Sequence, residues 1–318
     1  MIRKARLKAF AKLNLGLRVL YKRPDNYHEI RTVFQTISLA DGLEVEFSCA
    51  RSTTIEIEGT PHIQDNLVER AARAVLESLA IDGRVRFRLT KRIPSGAGLG
   101  GGSSDAAAVL LALPVLAGNA IAPAELHAMA TRLGSDVPFF LEGGTVLGLG
   151  RGEELYPLPD RPAARGLLVS PAIHSGTAEA YRDVSAKLTL IPLQNKLFSF
   201  RQEVWQASDG GSLGSAYNDF EEGVFARHPQ LGEIAKWLIR SGAMPVSMTG
   251  SGSSIFGIFP DRERLLRAKE ARSRKALNSE QIFEISFLSR SQYRSAWRRA
   301  LKQHTKGDLW PPRSRYAR

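Results

Sequence analysis

The stretch Pro94-Ser95-Gly96-Ala97-Gly98-Leu99-Gly100-Gly101-Gly102-Ser103-Ser104-Asp105 places five glycines and two adjacent serines before the apolar segment Ala106 to Leu113. Because glycine lacks a Cβ and tolerates unusual backbone angles, such a loop can turn several N–H groups toward one ligand. A helix that begins at Ser103 or Ser104 would add free N–H groups and the positive end of its dipole. These features predict an anion-binding loop, and a phosphate chain is the usual biological anion of that size.

The segments around this loop favour phosphate binding over a simple linker. Residues Val85 to Leu89 alternate apolar and basic side chains, which is typical of a half-buried strand. A strand, a glycine loop and an apolar helix in this order are typical of phosphate-binding sites. The alternatives are a mobile linker and a plain Ser-Ser-Asp helix cap, and a linker rarely joins a strand directly to a buried helix.

The loop does not fit the commonest nucleotide-binding patterns. A Walker A loop ends in Gly-Lys-Ser/Thr, whereas Gly102 is followed by Ser103. The dinucleotide pattern G-x-G-x-x-G is met by Gly96, Gly98 and Gly101, but the stretch Ala112 to Ala124 lacks the expected acidic residue. No His-Arg-Asp or Asp-Phe-Gly segment of a protein kinase is present.

The loop instead resembles the central phosphate motif of the GHMP kinases, a family of small-molecule kinases. Further segments support the resemblance and follow the family's order: Ala11-Lys12-Leu13-Asn14-Leu15, Asn26-Tyr27-His28, Asp65-Asn66-Leu67, Gly134-Ser135-Asp136-Val137-Pro138, Asn218-Asp219-Phe220-Glu221 and Thr249-Gly250-Ser251-Gly252-Ser253. They are most similar to the branch that acts on 4-diphosphocytidyl-2-C-methyl-D-erythritol. The resemblance extends to about Arg290 and implies transfer of the ATP γ-phosphoryl group to the 2-hydroxyl of that alcohol, in the non-mevalonate isoprenoid pathway.

Strands and helices without strict βαβ alternation predict an α+β protein. The resemblance implies a two-domain GHMP kinase fold: a ribosomal-protein-S5-like N-terminal domain over 1–158 and an α+β C-terminal domain over 159–290. The active site is then expected in the cleft between them. Residues 291–318 are predicted to form a basic, solvated or loosely packed extension.

Two charged residues are the predicted catalytic groups. The resemblance implies that Asp136 accepts the proton of the substrate hydroxyl, and that Lys12 keeps this carboxylate ionised and balances charge on the reacting oxygens. Without the resemblance, Asp136 would be interpreted as a loop aspartate at a helix end. Lys12 would be an ordinary lysine on the wet face of a strand that also presents Lys8 and Arg18.

The glycine loop is expected to wrap the triphosphate of ATP. Hydroxyls of Ser103 or Ser104 are candidates to reach Mg²⁺, the usual partner of ATP, and the sequence offers no unambiguous second metal ligand. Asn66 is predicted either to contact adenine or to cap a helix. The predicted ATP-binding residues are Pro94, Ser95, Gly96, Ala97, Gly98, Leu99, Gly100, Gly101, Gly102, Ser103, Ser104 and Asn66.

The resemblance also implies a cytidine-binding region. His28 is predicted to read the donor and acceptor edge of cytosine, and Tyr181 to stack on the base. Asn26 replaces the family's glycine before Tyr27, and asparagine tolerates the same left-handed backbone. The predicted substrate-binding residues are Asn14, Tyr27, His28, Thr177 and Tyr181. Gly250 to Ser253 either closes the site near the substrate or forms only a tight turn.

Two residues depart from the expected pattern near the loop. Relatives carry Asn where this chain has Asp105, and an acid beside a triphosphate is repelled unless it turns away, for example to cap the helix. Pro114 is expected to kink or end the helix behind the loop, because proline lacks the N–H that continues a helix.

The composition of the chain excludes some structural features and limits the alternative functions. The chain has 318 residues, a formal net charge of +12 and one cysteine, which excludes an internal disulfide and a thiolate metal cluster. We expect a cytoplasmic enzyme that is a monomer or weak homodimer and binds neither nucleic acid nor membrane. The alternatives are a homoserine- or mevalonate-type kinase, or a basic RNA-binding protein whose affinity would fall steeply with salt.

Overall fold

The computed structural model describes residues 2–59, 65–187, 216–274 and 280–317. The N-terminal part contains β1 (Arg3–Lys22), β2 (His28–Cys49), β3 (Thr54–Glu58), α1 (Leu67–Ser78), β4 (Gly83–Thr90), α2 (Gly101–Ala117), α3 (Pro123–Leu133), α4 (Phe139–Glu142), β5 (Thr145–Leu149) and β6 (Glu154–Pro157). The C-terminal part contains β7 (Arg165–Pro171), α5 (Thr177–Lys187), β8 (Tyr217–Asn218), α6 (Glu221–Arg227), α7 (Pro229–Arg240), β9 (Val246–Met248), β10 (Ile255–Phe259), α8 (Arg262–Ser273), β11 (Glu280–Ser286) and α9 (Arg290–Leu301). None of the helices in these ranges has both the length and the apolar character that a membrane span requires.

The first sheet is built on the long antiparallel pair β1 and β2 and has the strand order β3-β4-β2-β1-β8, with β5 paired to β2 and to β6. The strand predicted before the glycine loop is β4, whose residues alternate between buried and exposed along its length. Helices α1 and α2 pack together and share one apolar core with β1, β2 and β4. The second sheet has the order β11-β7-β10-β9. This mixture confirms the α+β prediction.

Helix α2 is buried on every side because its residues from Ala106 to Leu113 are all apolar. It begins at Gly101 rather than at Ser103 or Ser104, since Gly100 takes a left-handed conformation (φ +70°) and is the N-cap. The helix also continues through Pro114, contrary to the expected break there. Pro114 lies in the last turn, and the helix ends after Ala117 at a left-handed Gly118.

The C-terminal segment is not the loosely packed extension that the sequence predicted. The apolar face of α9 joins the core of the first sheet, with Tyr293, Trp297 and Leu301 each at most 2 % exposed. Beyond α9, the Trp310 indole donates to the carbonyl of Leu141 at 2.8 Å, and the Ser314 hydroxyl donates to that of Val115 at 2.9 Å. The prediction failed because a basic composition does not show that one face of a helix is apolar. The domain limits at 158 and 290 remain predictions.

The two sheets meet through a third apolar cluster. Leu13 on β1 and Ile37 on β2 pack there with Leu168 on β7 and Phe256 on β10. Ile37 also forms an antiparallel bridge with Phe287, just after β11. The first half of β1 and the second half of β2 thus contribute to the N-terminal core, and the middle residues of both strands form the interface between the two sheets.

Candidate active site

Two adjoining cavities share the glycine loop as a wall. The larger, of about 980 Å³, contains Lys12, Asp136, His28, Tyr181 and Thr177 in its lining. The smaller, of about 370 Å³, is lined by Asn66, Lys91, Asp105 and every residue from Ile93 to Ser103. Gly96, Gly98, Gly100 and Ser103 line both cavities. The loop therefore separates two binding spaces and is accessible to both.

Lys12 and Asp136 form an ion pair in the larger cavity. Nζ of Lys12 lies 3.4 Å from Oδ2 of Asp136, and the lysine side chain is 3 % exposed while the aspartate is 33 % exposed. Nζ also donates to Oδ1 of Asn14 at 2.6 Å. The amide of Asn14 donates to the Thr32 hydroxyl at 2.7 Å, which fixes its orientation. A buried ammonium thus holds a carboxylate that remains open to the cavity.

Lys12 is not the solvent-facing lysine that strand alternation alone favours. Lys8 is exposed on β1, but every residue from Ala9 to Leu17 is buried. The register between β1 and β2 shifts between Phe10 and Lys12, and again between Asn14 and Gly16. Such shifts re-aim side chains, and the second sheet covers this part of the strand. The main-chain N–H of Lys12 donates to the carbonyl of Leu99 at 3.1 Å, which ties the ion pair to the glycine loop.

The loop backbone needs glycine at defined positions. Gly96, Gly98 and Gly100 all have positive φ, at +65°, +77° and +70°. A Cβ on Gly98 would also overlap the carbonyl oxygen of Thr249. The turns therefore bring the loop against the second domain's glycine segment, which no larger residue allows.

The two adjacent serines at the end of the loop have different environments. Ser103 faces both cavities. Ser104, predicted to bind ATP, is 2 % exposed; its hydroxyl donates to the carbonyl of Phe10 at 2.7 Å and its N–H to that of Gly100 at 2.8 Å. Ser104 therefore anchors the helix to β1 and does not line either cavity, because the helix starts at Gly101, two or three residues earlier than predicted.

Asn66 has one of its two predicted roles, the helix cap, and its contact with adenine stays a prediction. It is the N-cap of α1, where its Oδ1 accepts from the N–H of Val68 at 3.0 Å, and it also lines the smaller cavity.

Asp105 is turned away from solvent and does not cap the helix. Its Oδ2 lies 2.7 Å from Nζ of Lys91, which also pairs with Asp41, and Oδ1 of Asp41 accepts from the main-chain N–H of Ile93 at 2.8 Å. Burial raises the pKa of Asp105 to about 7, and the charge of Asp41 adds to this while Lys91 opposes it. The two carboxylates raise the pKa of Lys91 despite its burial. This cluster fixes the strand end from which the glycine loop departs.

An aromatic group lines the far part of the larger cavity. The rings of His28 and Tyr181 stack at 4.8 Å, and Tyr181 meets Phe220 edge-on at 4.8 Å. A ring nitrogen of His28 lies 2.6 Å from the Ser185 hydroxyl. Burial, aided by the charge of Lys22, lowers the pKa of His28, which favours the neutral form of the ring. Burial, aided by the charge of Asp136, raises the pKa of Tyr181 to about 12.

The remaining predicted substrate residues also lie at this cavity. Tyr27 is 53 % exposed at its rim, with the guanidinium of Arg151 4.7 Å from its ring centre. The Thr177 hydroxyl lies 3.0 Å from that of Ser251. The structure thus brings every predicted residue except Ser104 to the cavities or the loop between them.

The motifs Asn218 to Glu221 and Thr249 to Ser253 have structural roles that the sequence alone did not indicate. The Asn218 amide donates to the carbonyls of Met248 and Gly250 at 2.8 and 2.7 Å, and so holds the second glycine segment. The Thr249 hydroxyl lies 3.1 Å from the carbonyl oxygen of Gly98 and 3.0 Å from the main-chain nitrogen of Asn14. No local sequence pattern indicated that Thr249 links the two domains.

Glu221 supports the strand that precedes this segment. Its carboxylate accepts from the Ser247 hydroxyl and from the N–H of Met248, and burial raises its pKa.

Comparison with known proteins defines the class first. The model of the GHMP kinase N-terminal domain matches residues 66–144, and that of the GHMP kinase C-terminal domain matches residues 205–278. A homoserine kinase from Cytophaga hutchinsonii shares the fold, with a TM-score of 0.64 at 20% identity over 88% of this chain and 94% of that one. A chain with these two domains is a kinase of the GHMP class, which uses ATP as co-substrate.

Relatives with higher sequence identity show to which family within the GHMP kinases the chain belongs. A 4-diphosphocytidyl-2-C-methyl-D-erythritol kinase from Solibacter usitatus is 54% identical over 99% of this chain and 98% of its own length. One from Caldanaerobacter subterraneus is 39% identical over 83% of this chain and 91% of its own length. A crystal structure of 4-(cytidine 5'-diphospho)-2C-methyl-D-erythritol kinase is 34% identical, with a TM-score of 0.71 over 90% of this chain and 99% of that one. The chain belongs to the family of 4-diphosphocytidyl-2-C-methyl-D-erythritol kinases.

Proposed function

We propose that this protein transfers the γ-phosphoryl group of ATP to the 2-hydroxyl of 4-diphosphocytidyl-2-C-methyl-D-erythritol, giving the 2-phosphate and ADP. One observation carries the proposal: the Lys12–Asp136 pair lies in a cavity that has the glycine loop in one wall and the His28–Tyr181 stack in another. The reaction needs these three parts in one space, namely a phosphate site, a proton acceptor and a site for the acceptor molecule.

The smaller cavity is the proposed nucleotide site. Adenine fits beside Asn66 at the N-terminus of α1, and the triphosphate then follows the loop. The left-handed glycines and the N-terminus of α2 offer main-chain N–H groups and a positive dipole end to the phosphates. Ser104 is left out of the proposed contacts because its donors are already used.

The larger cavity is the proposed acceptor site. Nε2 of His28 is bonded to the Ser185 hydroxyl, so Nδ1 is the ring nitrogen proposed to contact the edge of cytosine, and Tyr181 offers a ring face for stacking. Asp136 takes the proton of the 2-hydroxyl as the oxygen attacks phosphorus. The ammonium of Lys12 stabilises the negative charge that develops on the reacting oxygens.

Mg²⁺ is the proposed metal partner of ATP. It commonly keeps several waters and binds phosphates plus one or two protein groups. The described residues contain no group of three or more His, Cys, Asp or Glu side chains that could hold a metal ion. The open Ser103 hydroxyl between the cavities fits such a phosphate-held ion as a ligand. When bound, the ion would neutralise charge on the phosphate oxygens.

The test is ATP consumption by the purified protein with and without 4-diphosphocytidyl-2-C-methyl-D-erythritol. We expect acceptor-dependent formation of ADP and the 2-phosphate, and no comparable turnover with homoserine or mevalonate. Turnover with either of those alcohols alone would contradict the proposed acceptor while leaving the kinase class intact.

Part of the basic charge that suggested the RNA-binding alternative is paired with acidic residues in the fold. Basic residues on β4 pair with acids on β3, as Arg86 does with Glu56 at 3.0 Å. The basic tail packs on the core, where Arg294 pairs with Glu142 at 2.9 Å. These cations are paired within the protein, but each pair also uses an acid, so the formal net charge stays +12.

A further inference from the structure

His174 and Ser175 lie in the connection between β7 and α5 and line the larger cavity beside the glycine loop. A Cβ built on Gly96 would come within 3.1 Å of Nδ1 and 3.2 Å of Cε1 of His174. The imidazole therefore rests directly on the loop. Neither residue belongs to the catalytic pair or to the aromatic group.

Both side chains carry polar atoms that nothing in the described part of the chain uses. Ser175 is 2 % exposed, and its hydroxyl has no hydrogen-bond partner among the described residues. A buried hydroxyl without a partner costs free energy, and such groups are rare unless a ligand or water completes them. His174 is exposed, so its ring nitrogens are open to a ligand in the cavity.

We propose that His174 and Ser175 bind a phosphate oxygen of a ligand at the point where the glycine loop separates the two cavities. This inference rests on the proposed function. Imidazole donates an N–H in either neutral tautomer, and the hydroxyl donates its O–H, so both suit a phosphate oxyanion. His174 lines the larger cavity and is absent from the lining of the smaller one. The phosphate is therefore either the terminal phosphate of ATP or the diphosphate of the acceptor.

Calorimetric binding to two probes distinguishes these sources. The probes are an unreactive ATP mimic and, without nucleotide, 4-diphosphocytidyl-2-C-methyl-D-erythritol. The variants are His174→Ala, His174→Asn and Ser175→Ala. The matched control is His127→Ala on α3, a histidine that lines neither cavity.

For one of the two probes we expect at least roughly tenfold weaker binding in His174→Ala and in Ser175→Ala, as for a lost hydrogen bond to a charged group. His174→Asn should restore part of the affinity, because its amide N–H lies near the position of Nδ1. A loss confined to the ATP mimic identifies the terminal phosphate, and a loss confined to the acceptor identifies its diphosphate.

Unchanged affinity for both probes in His174→Ala and Ser175→Ala would overturn the proposal, as would an equal loss in the His127→Ala control. Failure of the proposed function is separate: it would appear as absent turnover in the unaltered protein, while the two binding measurements still report on His174 and Ser175.

Discussion

At the scale of single residues, the ion pair between Lys12 and Asp136 carries the proposed chemistry. The lysine is buried, and it contacts Asn14 as well as the carboxylate. Removing Asp136 leaves the buried ammonium of Lys12 without its carboxylate partner, which is why the pair should act as a unit. The carboxylate is the member of the pair with substantial access to the cavity, so it is the member that we propose to contact the substrate.

Asp136→Asn should lower kcat by roughly 10²–10⁴-fold, because the amide cannot accept the substrate proton. Lys12→Ala should cause a comparable loss. Steady-state kinetics measures both, and circular dichroism reports whether the fold is kept. Lys8→Ala is the matched control, since Lys8 is an exposed lysine on the same strand. A near-normal kcat in Asp136→Asn would show that Asp136 is not the general base.

The buried cluster of Asp105, Lys91 and Asp41 should make stability depend on pH. The folded-state pKa of Asp105, about 7, lies above its ordinary 3.8, so folding favours the protonated carboxyl. That contribution is fully present below about pH 4 and is lost as the pH rises through about 7. Ionised Asp105 and Asp41 then share one lysine at the base of the loop.

Asp105→Asn should remove this dependence, because the amide is neutral at every pH. Relative to the unaltered protein, the variant should gain on the order of a few kcal/mol in free energy of unfolding between pH 5 and pH 8. Urea denaturation at the two pH values measures the change, with Asp308→Asn as an exposed control. A difference that stays constant with pH would contradict the assigned protonation.

At the scale of elements, helix α9 completes the N-terminal core. Its capping box, formed by Ser289 and Gln292, fixes its start, and its aromatic face covers α4 and β1 through Tyr293 and Trp297. Arg290 adds a hydrogen bond to the carbonyl of Thr145 at 2.8 Å. A chain that ended before this helix would leave a large apolar surface open to water.

Trp297→Ala should destabilise the protein by about 3–5 kcal/mol, the range for truncating a buried aromatic side chain. Arg299→Ala, on the exposed face of the same helix, should change stability by less than about 0.5 kcal/mol. Urea denaturation compares the two variants. If both variants changed the free energy of unfolding by the same small amount, the result would support the loosely packed extension that the composition predicted.

At the scale of the whole molecule, the two domains are joined at the candidate active site as well as through their shared apolar cluster. Thr249 of the second domain is fully buried and contacts Gly98 of the glycine loop and Asn14 beside the ion pair. Asn218 holds the segment that carries it. The position of the second domain therefore affects the backbone of the glycine loop in the first domain through these hydrogen bonds.

Thr249→Val keeps the side-chain volume but leaves buried polar atoms of Gly98 and Asn14 without this partner. It should cost about 1–3 kcal/mol in free energy of unfolding and raise KM for ATP more than it lowers kcat. Denaturation and kinetics test this, with Thr131→Val as control because that hydroxyl bonds only within α3. An unchanged KM for ATP would show that the contact does not shape the loop.

The sequence by itself determined the parts whose cause is local. Glycine spacing predicted a phosphate loop, alternation predicted β4, and the set of short motifs indicated the family together with Lys12, Asp136, His28 and Tyr181. Only the tertiary structure decided that Lys12 is buried, that Ser104 anchors a helix and that the basic tail docks. These features depend on contacts between residues far apart in the chain, such as Ser104 with Phe10 or Trp310 with Leu141. Backbone preference and periodicity act over a few neighbours, whereas burial is set by which distant surfaces meet.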